Sequence, residues 1–474
     1  MNPALLSLLT PLATAILMLL CRSRAAVWTI AASLLSLVAA IAALYQVTTD
    51  GSQLIHLGGW ESPLAIRFRV TALSALLLAF TALIHLLVGL YAARSRHSQT
   101  RNTDYWPLSC FLHASLASLW LSTDLFNWYV ILELLGLTAV ALVSLAGTKA
   151  HRAAFNYLLL SLAASLCYLL GVALLYGRYG VLDSLLLADM LEADHTTRTA
   201  LLVITLGLML KAALWPLHLW LPPAHAGAPT AVSALLSALV VKGPLFVLWM
   251  LWSQVAPVEL GRQAGPAMAA AGVAALVSAG WSACRTPHIK TLVAYSTVAQ
   301  LGYALLALGM LLRWGVRELH VALWLFVFAH GLAKASMFLA AGEMQSTLGS
   351  KKVSALRGAT QTVPVAMFAF AVAGGSLIGL PPSGGFLAKW VLLQPLLLEP
   401  SHWPWALGVL LGTLASAAYV FRVIALSFDR APPPRPDYNP DPVAQWLTLL
   451  PALLVWGMAL GGETLILWMS GVAY

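Results

Sequence analysis

The sequence predicts an all-α polytopic membrane protein, on the basis of its composition and the length of its apolar runs. Of its 474 residues, 60% are hydrophobic and 9% are charged, whereas an ordinary soluble domain has roughly 25% charged residues. The apolar runs are continuous and do not alternate, which favours helices over barrel strands. A soluble enzyme, a disordered chain and a collagen-like or disulfide-rich scaffold are therefore excluded.

The apolar runs predict about fourteen membrane-spanning helices, each of about 20 residues. In chain order the predicted spans are 3–21, 25–47, 71–92, 107–122, 128–147, 154–176, 200–217, 230–253, 266–283, 291–312, 320–341, 361–398 with a break, 405–427 and 445–468. The first run lacks a preceding basic segment and a cleavage site, so it is typical of a retained helix and not of a signal peptide. Segment 428–444 contains Pro432-Pro433-Pro434 and Pro436 and is interpreted as a stiff linker.

Basic residues divide unequally between the two alternating sets of connections. One set holds fourteen Lys or Arg residues, Lys290 among them, and the other holds seven. The positive-inside rule places the richer set in the cytoplasm, so both termini are expected outside a bacterial-type inner (plasma) membrane. The formal charge of +9 is then explained by topology and does not indicate nucleic-acid binding. The charges assigned to connections include Glu61, Arg96, Arg101, Glu343, Arg430, Arg435 and Asp437.

Cysteine spacing and nucleotide-binding motifs give no sign of a prosthetic group. The four cysteines are scattered without a Cys-x-x-Cys pair, so neither an iron–sulfur cluster nor a zinc site is indicated. No Walker A sequence is present. We therefore expect no cofactor, no metal and no catalytic site of its own, and energy supplied by an ion gradient or a partner subunit.

A small set of charged residues falls inside the predicted spans. Lysine at a helix centre costs roughly 2.5–3.5 kcal/mol on insertion scales, so such residues must face protein or water. Snorkelling toward a helix end is the alternative for a single lysine, and Arg422 is interpreted as an interfacial anchor. The set consists of Glu133, Lys211, Lys242, Lys334 and Lys389.

A row of buried lysines predicts a proton path, because desolvation disfavours the charged ammonium and a neighbouring carboxylate favours it. His330 stands four residues before Lys334, on the same helix face, and histidine titrates near neutrality. A packed, hydrogen-bonded histidine is the alternative for His330. His218 and His225 are equally compatible with loop packing and with function.

Two predicted spans are interrupted at membrane depth, where unwound backbone is tolerated only against protein or a cavity. Lys211 precedes the first break and Lys389 follows the second. Ordinary proline kinks are the alternative, but matching breaks in two halves indicate inverted repeats of a transporter. The predicted units are 1–106, a first repeat 107–253 (spans 4–8), a second repeat 266–427 (spans 9–13) and 445–474. The break residues are Pro216, His218, Pro222, Pro223, His225, Pro381, Pro382, Gly384 and Gly385.

Six segments carry a family resemblance, namely 124–133, 211–222, 228–242, Ala294-Tyr295-Ser296-Thr297, 330–334 and 379–389. Taken together, they resemble the antiporter-like, proton-conducting membrane subunits of Mrp-type cation/proton antiporters, respiratory complex I and membrane-bound hydrogenases. The resemblance covers nearly the whole chain and is strongest to the D-type member of the Mrp set. It implies that Glu133 pairs with Lys211, that Lys242 relays protons inward and that Lys389 opens toward the far side.

The resemblance implies a proton-translocating subunit of a multisubunit monovalent cation/proton antiporter. Its expected partners are other membrane subunits and the lipid bilayer, and the transported ions are protons with Na⁺ or K⁺. A proton-pumping subunit of a redox-driven complex and one of an inorganic-carbon uptake complex are alternatives that use the same proton module. A non-conducting scaffold subunit is a third alternative, which the cost of four buried lysines opposes.

Overall fold

The computed structural model describes residues 2–60, 66–95, 103–429 and 441–471, which form α-helices and one β-hairpin. The helices of the first half are α1 (Pro3–Leu20), α2 (Ala25–Asp50), α3 (Ala72–Arg94), α4 (Tyr105–Leu121), α5 (Leu125–Ser144), α6 (Thr148–Tyr179), α7 (Ser184–Met190), α8 (His195–Lys211) and α9 (Leu221–Gly227). Those of the second half are α10 (Thr230–Leu235), α11 (Lys242–Met250), α12 (Val258–Arg285), α13 (Ile289–Trp314), α14 (Arg317–Thr347), α15 (Pro364–Ile378), α16 (Gly384–Leu398), α17 (Trp403–Ser427), α18 (Pro442–Gly457) and α19 (Gly462–Gly471). Two π-helical turns, Leu236–Val240 and Leu251–Val255, make α10 and α11 parts of one helical span.

The expected all-α membrane fold is confirmed. Within the described ranges, ten helical spans are long and apolar enough to cross a membrane, and α18 with α19 makes an eleventh if their 73° bend lies within one span. Helices α4 and α8 have 17 residues each, and α15 and α16 have 15 each. Because these elements are short for a complete span, the number fourteen stays a prediction.

Many helices begin at a polar residue whose side chain accepts a hydrogen bond from the first helical turn. Such a cap satisfies a backbone N–H that has no partner inside the helix and contributes about 1 kcal/mol. The caps set the starting points of both membrane helices and half-helices. The capping residues are Asn2, Thr71, Asp124, Asp183, Asp194, Ser383 and Asp441.

A β-hairpin and an ion pair join the connections on the side of the membrane where the chain begins, which we call the N-terminal side. Strand β1 (Gln53–His56) pairs antiparallel with β2 (Arg67–Val70). The Arg67 guanidinium binds the Asp183 carboxylate through two hydrogen bonds, and the Thr123 hydroxyl donates to the Arg67 carbonyl at 3.0 Å. Three connections are thereby tied together.

The helices differ sharply in burial. The span of α10 and α11, together with α14, is wholly buried through its most apolar 18 residues, whereas only a third of the corresponding window of α1 or α17 is buried. Helix α13 is nearly as buried as α14. The predicted lysines Lys242 and Lys334 therefore lie on the innermost helices, where they cannot reach lipid.

Two residues assigned to cytoplasmic connections lie inside the protein, and those assignments were wrong. Lys290 is the second residue of α13 and is 5% exposed, and Glu343 in the last part of α14 is 2% exposed. The reason is that α13 and α14 extend beyond the predicted spans 291–312 and 320–341, and neighbouring elements cover their ends. The predictions for Glu61, Arg96, Arg101, Arg430, Arg435, Asp437, Pro432-Pro433-Pro434 and Pro436 fall outside the described residues.

Candidate functional site

The first break follows Lys211, the last residue of α8, and the chain re-forms a helix at Leu221. Pro216 and Pro222 cannot donate backbone hydrogen bonds, so the helix cannot continue through this segment. The Trp220 Nε1–H donates to the Leu210 carbonyl in the last turn of α8 at 2.8 Å. The Trp220 ring also stacks on Tyr157, with ring centroids 4.0 Å apart. Specific side-chain contacts thus hold the break in place. The break puts Lys211 at a helix C-terminus, where a cation is favoured.

Lys211 and Glu133 form a largely buried ion pair between α8 and α5. The Lys211 Nζ lies 3.0 Å from Glu133 Oε1 and 3.2 Å from the Ser161 hydroxyl. Their side chains are 5% and 19% exposed, so the lysine is enclosed and the carboxylate reaches the protein surface. Gly136 makes the approach possible, because a Cβ there would lie 2.8 Å from the Ser161 oxygen.

Lys242 lies beyond this pair, on the span formed by α10 and α11. Its ammonium donates to the carbonyl of Ser237, which lies in the π-helical turn Leu236–Val240. Turns of this kind are frequent at functional sites. The Ser237 hydroxyl is 2.9 Å from the Thr297 hydroxyl of α13, so the Lys242 segment is joined to the second half of the chain.

His330 and Lys334 share a face of α14, as their spacing predicts. The Lys334 ammonium donates to the Ser296 hydroxyl and to the Val293 carbonyl, the latter at 3.1 Å. His330 is 1% exposed, and neither of its ring nitrogens has a hydrogen-bond partner among the described residues. It lies within electrostatic range of both Lys242 and Lys334, which brings three predicted site residues together.

Lys389 lies on α16 and contacts the end of α15 across the second break. Its ammonium donates to the carbonyls of Leu377 and Ile378, both at 2.9 Å, and to the Thr413 hydroxyl at 3.2 Å. The two carbonyls end α15, so the ammonium sits at the negative end of that half-helix. A Cβ on Gly385 would lie 1.9 Å from the Ser376 carbonyl oxygen, so only glycine allows α16 to begin this close to α15.

A polar stripe on α13 connects Lys334 to Lys389. Ser296, which accepts from Lys334, lies close to the Tyr419 hydroxyl of α17. The Gln300 amide donates to that hydroxyl and to the Leu377 carbonyl, each at 3.3 Å. The Leu377 carbonyl is therefore shared by Gln300 and Lys389. The Lys389 ammonium lies 4.5 Å above the centre of the ring of Tyr303, which is also on α13.

The segment that contains the buried lysines matches a family of known proteins. Residues 122–416, more than half of the chain, match the family described as NADH:quinone oxidoreductase/Mrp antiporter, transmembrane. The chain belongs to this family. It is an antiporter-like subunit of the kind found in Mrp antiporters and complex I-like complexes, and it is a multi-pass membrane protein.

Individual relatives of this antiporter-like subunit carry different names. This chain is 34% identical to the N subunit of the NADH-quinone oxidoreductase of Desulforudis audaxviator (strain MP104C), over 78% of this chain and 74% of the relative. It is 26% identical to the D subunit of the Na(+)/H(+) antiporter of Bacillus subtilis (strain 168), over 92% and 90% respectively. A chain of the archaeal membrane-bound sulfane sulfur reductase superimposes with a TM-score of 0.91 and 26% identity, covering 100% of this chain and 98% of that one.

Lys290 is a buried lysine of the antiporter-like subunit that the sequence reasoning assigned to a loop. Its ammonium donates to the Ala228 carbonyl at 3.0 Å and to the Ser233 hydroxyl at 3.5 Å, at the joint between α9 and α10. His225 lies within electrostatic range of Lys290, Lys242 and Lys334, and neither of its ring nitrogens has a partner in the described part. The signal available was spacing, because Lys290 and Thr297 are seven residues apart on one helix face.

The remaining break residues differ in burial. His218 is half-buried in the turn after Lys211, and Pro222 is buried, whereas Pro216, Pro223, Pro381 and Pro382 are exposed. Gly384 is buried at the start of α16. Within the described ranges, no group of three or more His, Cys, Asp or Glu side chains is arranged to hold a metal ion.

Proposed function

We propose that this chain is a proton-translocating subunit of a multisubunit monovalent cation/proton antiporter. The observation that carries the proposal is the set of buried charged groups that the structure holds at both helix breaks and on the innermost helices. The proposed line runs from Glu133 and Lys211 through Lys242, His330 and Lys334 to Lys389, with Lys290 beside its centre. Charged groups of this kind inside a membrane protein are expensive and mark ion pathways.

Electrostatic coupling along this line supplies the mechanism. Glu133 favours the charged form of Lys211, and loosening of that pair releases a proton toward Lys242. Lys242 and Lys334 are close enough to repel each other when both are charged, so a proton that arrives on one promotes departure from the other. The polar stripe of α13 then carries it to Lys389.

Similarity to the D subunit of an Na(+)/H(+) antiporter over 92% of this chain supports the antiporter assignment, with other membrane subunits as partners. Exchange of Na⁺ or K⁺ for protons is part of the proposal. The division into units 1–106, 107–253, 266–427 and 445–474 is part of the proposal. So is the placement of both termini outside the plasma membrane. Reporter fusions after residues 24 and 471 test the topology, since an active periplasmic alkaline phosphatase is expected only at residue 471.

A second candidate is a proton-pumping subunit of a redox-driven complex. Two observations favour it, namely the 34% identity to the N subunit of an NADH-quinone oxidoreductase and the similarity to a respiratory sulfane sulfur reductase. Purification of the intact complex separates the candidates. Flavin or iron–sulfur absorbance that co-elutes with the chain supports the redox-driven complex, and its absence from an active complex supports the antiporter.

The proton role itself is tested in everted membrane vesicles that contain the whole complex. Lys211→Met and Glu133→Gln are each expected to lower cation-driven proton exchange about tenfold or more, because one partner of a buried pair is left alone. Lys149→Gln, at an exposed position, is the control and should leave exchange unchanged. Normal exchange with Lys211, Lys242, Lys334 and Lys389 each replaced by Met would make the chain a non-conducting scaffold.

A further inference from the structure

A second cluster of titratable side chains lies among the N-terminal helices, apart from the proposed line of lysines. His85 and His113 stand near the middle of α3 and α4, and their rings face each other with centroids 4.8 Å apart. The two residues are 2% and 0% exposed. Ionisable residues inside a membrane protein are costly and usually functional, and the proposed proton path uses neither of these two.

The Ser33 hydroxyl of α2 satisfies His85 in either protonation state. Its oxygen lies 2.8 Å from His85 Nδ1 and 2.7 Å from the Thr29 carbonyl oxygen. A hydroxyl has one hydrogen and two acceptor lone pairs. When Nδ1 carries a proton, it donates to Ser33 and Ser33 donates to Thr29. When Nδ1 is unprotonated, the hydroxyl rotates and donates to the ring, so the contact is kept in both states.

His113 supplies the independent observation that points to a ligand. Both of its ring nitrogens are buried, and neither has a hydrogen-bond partner among the described residues. Polar side chains that merely join membrane helices do so through hydrogen bonds, and buried polar groups are nearly always bonded. A neutral imidazole keeps one nitrogen with a free lone pair. His113 is therefore an open proton acceptor beside a ring that can carry a proton.

The polar side chains that α1, α2 and α4 place around the pair are neutral. The Cys110 thiol and the Met18 sulfur each lie 3.6 Å from the Thr29 hydroxyl. Helices α10 and α18, which also pack on α3, contain no charged residue. The charged residues at membrane depth in α5, α11 and α14 bond other groups, namely Glu133 with Lys211, Lys242 with Ser237, Lys334 with Ser296 and Glu343 with Tyr91.

The separation of the two rings limits how many protons the pair can hold. The electrostatic interaction that His113 makes is with His85. Two charged rings this close repel each other strongly in a low-dielectric interior. Interacting groups of this kind titrate as a unit, so the pair is suited to one proton and not to two.

We propose that His85 and His113 form a second proton-binding site, which takes up one proton per pair. The proton comes from water and adds to the lone pair of an unprotonated ring nitrogen, and no other covalent bond forms or breaks. The Ser33 hydroxyl reorients when that nitrogen is Nδ1 of His85. The pair shares no hydrogen-bond partner with the lysines among the described residues, so the inference stands whether or not the proposed function holds.

The number of bound protons is measured on the full-length protein, purified in detergent. Proton uptake is titrated potentiometrically between about pH 8 and about pH 5, where histidine changes charge. The variant His85→Asn/His113→Asn removes both rings and keeps polar side chains. The matched control, His151→Asn/His195→Asn, removes two exposed histidines that are distant in sequence.

We expect the pair variant to take up one proton fewer than the parent protein and the control variant to take up two fewer. A difference of zero for the pair variant shows that the rings stay neutral, and a difference of two shows that they titrate independently. Either result overturns the proposal. Elution at the parent volume in size-exclusion chromatography shows that a variant is folded. If the pair variant fails this check, the ¹⁵N ring signals of His85 and His113 in the labelled parent protein, summed over both rings, give the number of protons directly.

Ser33→Ala tests the hydroxyl separately, through the ¹⁵N ring signals of histidine-labelled protein. The signals of the pair are those lost in His85→Asn and His113→Asn. A hydrogen bond from a charged ring is stronger than one to a neutral ring, so Ser33→Ala should weaken proton binding about tenfold and lower the midpoint by about one pH unit. Thr48→Ala, at an exposed position of α2, should leave the midpoint unchanged. An equal midpoint for Ser33→Ala and the parent protein would contradict the role of Ser33 at this site.

Discussion

The two broken helices hold their lysines against different partners. Lys211 faces the carboxylate of Glu133 at 3.0 Å, whereas every hydrogen-bond partner of Lys389 in the described part of the chain is a neutral oxygen. A carboxylate stabilises an ammonium far more than carbonyl dipoles do. The first break is therefore suited to retain a proton and the second to release one.

The breaks also differ in how the backbone is held. At the first break the Trp220 indole donates to the Leu210 carbonyl and stacks on Tyr157, so side chains support the break. At the second break α15 and α16 meet at Gly385, whose N–H donates to the Ser376 hydroxyl at 3.2 Å. Side chains can adjust to a small change, but two touching backbones cannot.

The largest expected effect comes from adding a methyl group at the second break. In Gly385→Ala the new Cβ would overlap the Ser376 carbonyl oxygen, so α15 and α16 must separate at a cost of about 1–3 kcal/mol or more. We expect loss of folded protein, measured as the monodisperse yield after detergent extraction. Gly177→Ala in α6, with no atom within 4 Å of the added Cβ, should keep the parent yield. An equal yield for both variants would show that the second break is as adaptable as the first.

The next effect is expected from making the second break electrostatically similar to the first. Gln300 and Lys389 share the Leu377 carbonyl, so Gln300→Glu places a carboxylate beside that ammonium. The new pair should hold the proton on Lys389 and lower cation-driven exchange about tenfold or more. The assay is proton exchange in everted vesicles. Gln361→Glu, at an exposed position, provides the charge-matched control.

Exchange unchanged by Gln300→Glu would contradict the idea that neutral partners at Lys389 matter. Gln300→Leu distinguishes loss of the polar stripe from gain of a charge. It removes the amide that contacts Ser416, Tyr419 and Leu377, and it should slow exchange less than the glutamate does.

The sequence predicted those parts of the site whose signal is local. Glu133 and Lys211 are charges within apolar runs, and the prolines cannot continue a helix. The burial of Lys290 depends on the α9–α10 joint, some 60 residues away in sequence. Glu343 is buried against the Tyr91 hydroxyl, 2.6 Å from its Oε1 and 252 residues away. Spacing places Lys290 on the same face of α13 as Thr297, but the partners of Lys290 and Glu343 cannot be read from the sequence around either residue.

The α13 stripe had a readable signal in its spacing. Ser296, Thr297, Gln300 and Tyr303 follow one another at intervals of one, three and three residues in an otherwise apolar helix, which places them on one face. The partners of Lys389 had no such signal. They are mostly backbone carbonyls, and the path of the broken helix alone decides which of them the ammonium reaches.

The smallest expected effect lies at the other end of α8, where Asp194 caps the helix that Lys211 ends. The pKa of Asp194 is lowered, chiefly by the hydrogen bond from the Thr197 backbone N–H at 2.7 Å and less by Arg178. The stability that the carboxylate contributes is therefore present above its ordinary pKa of about 3.9 and is lost as the pH falls through the lower value of the folded protein.

Asp194→Asn keeps a capping oxygen, so it isolates the charge. The melting temperature of the parent protein should slightly exceed that of Asp194→Asn at pH 7, and the gap should close below about pH 4. Because the cap contributes more than the exposed ion pair, Arg178→Gln should retain most of this pH dependence. If Arg178→Gln abolishes this pH dependence, the ion pair with Arg178 stabilises the Asp194 carboxylate more than the cap does. Both ends of α8 would then depend on an ion pair, although one end is buried and the other is exposed.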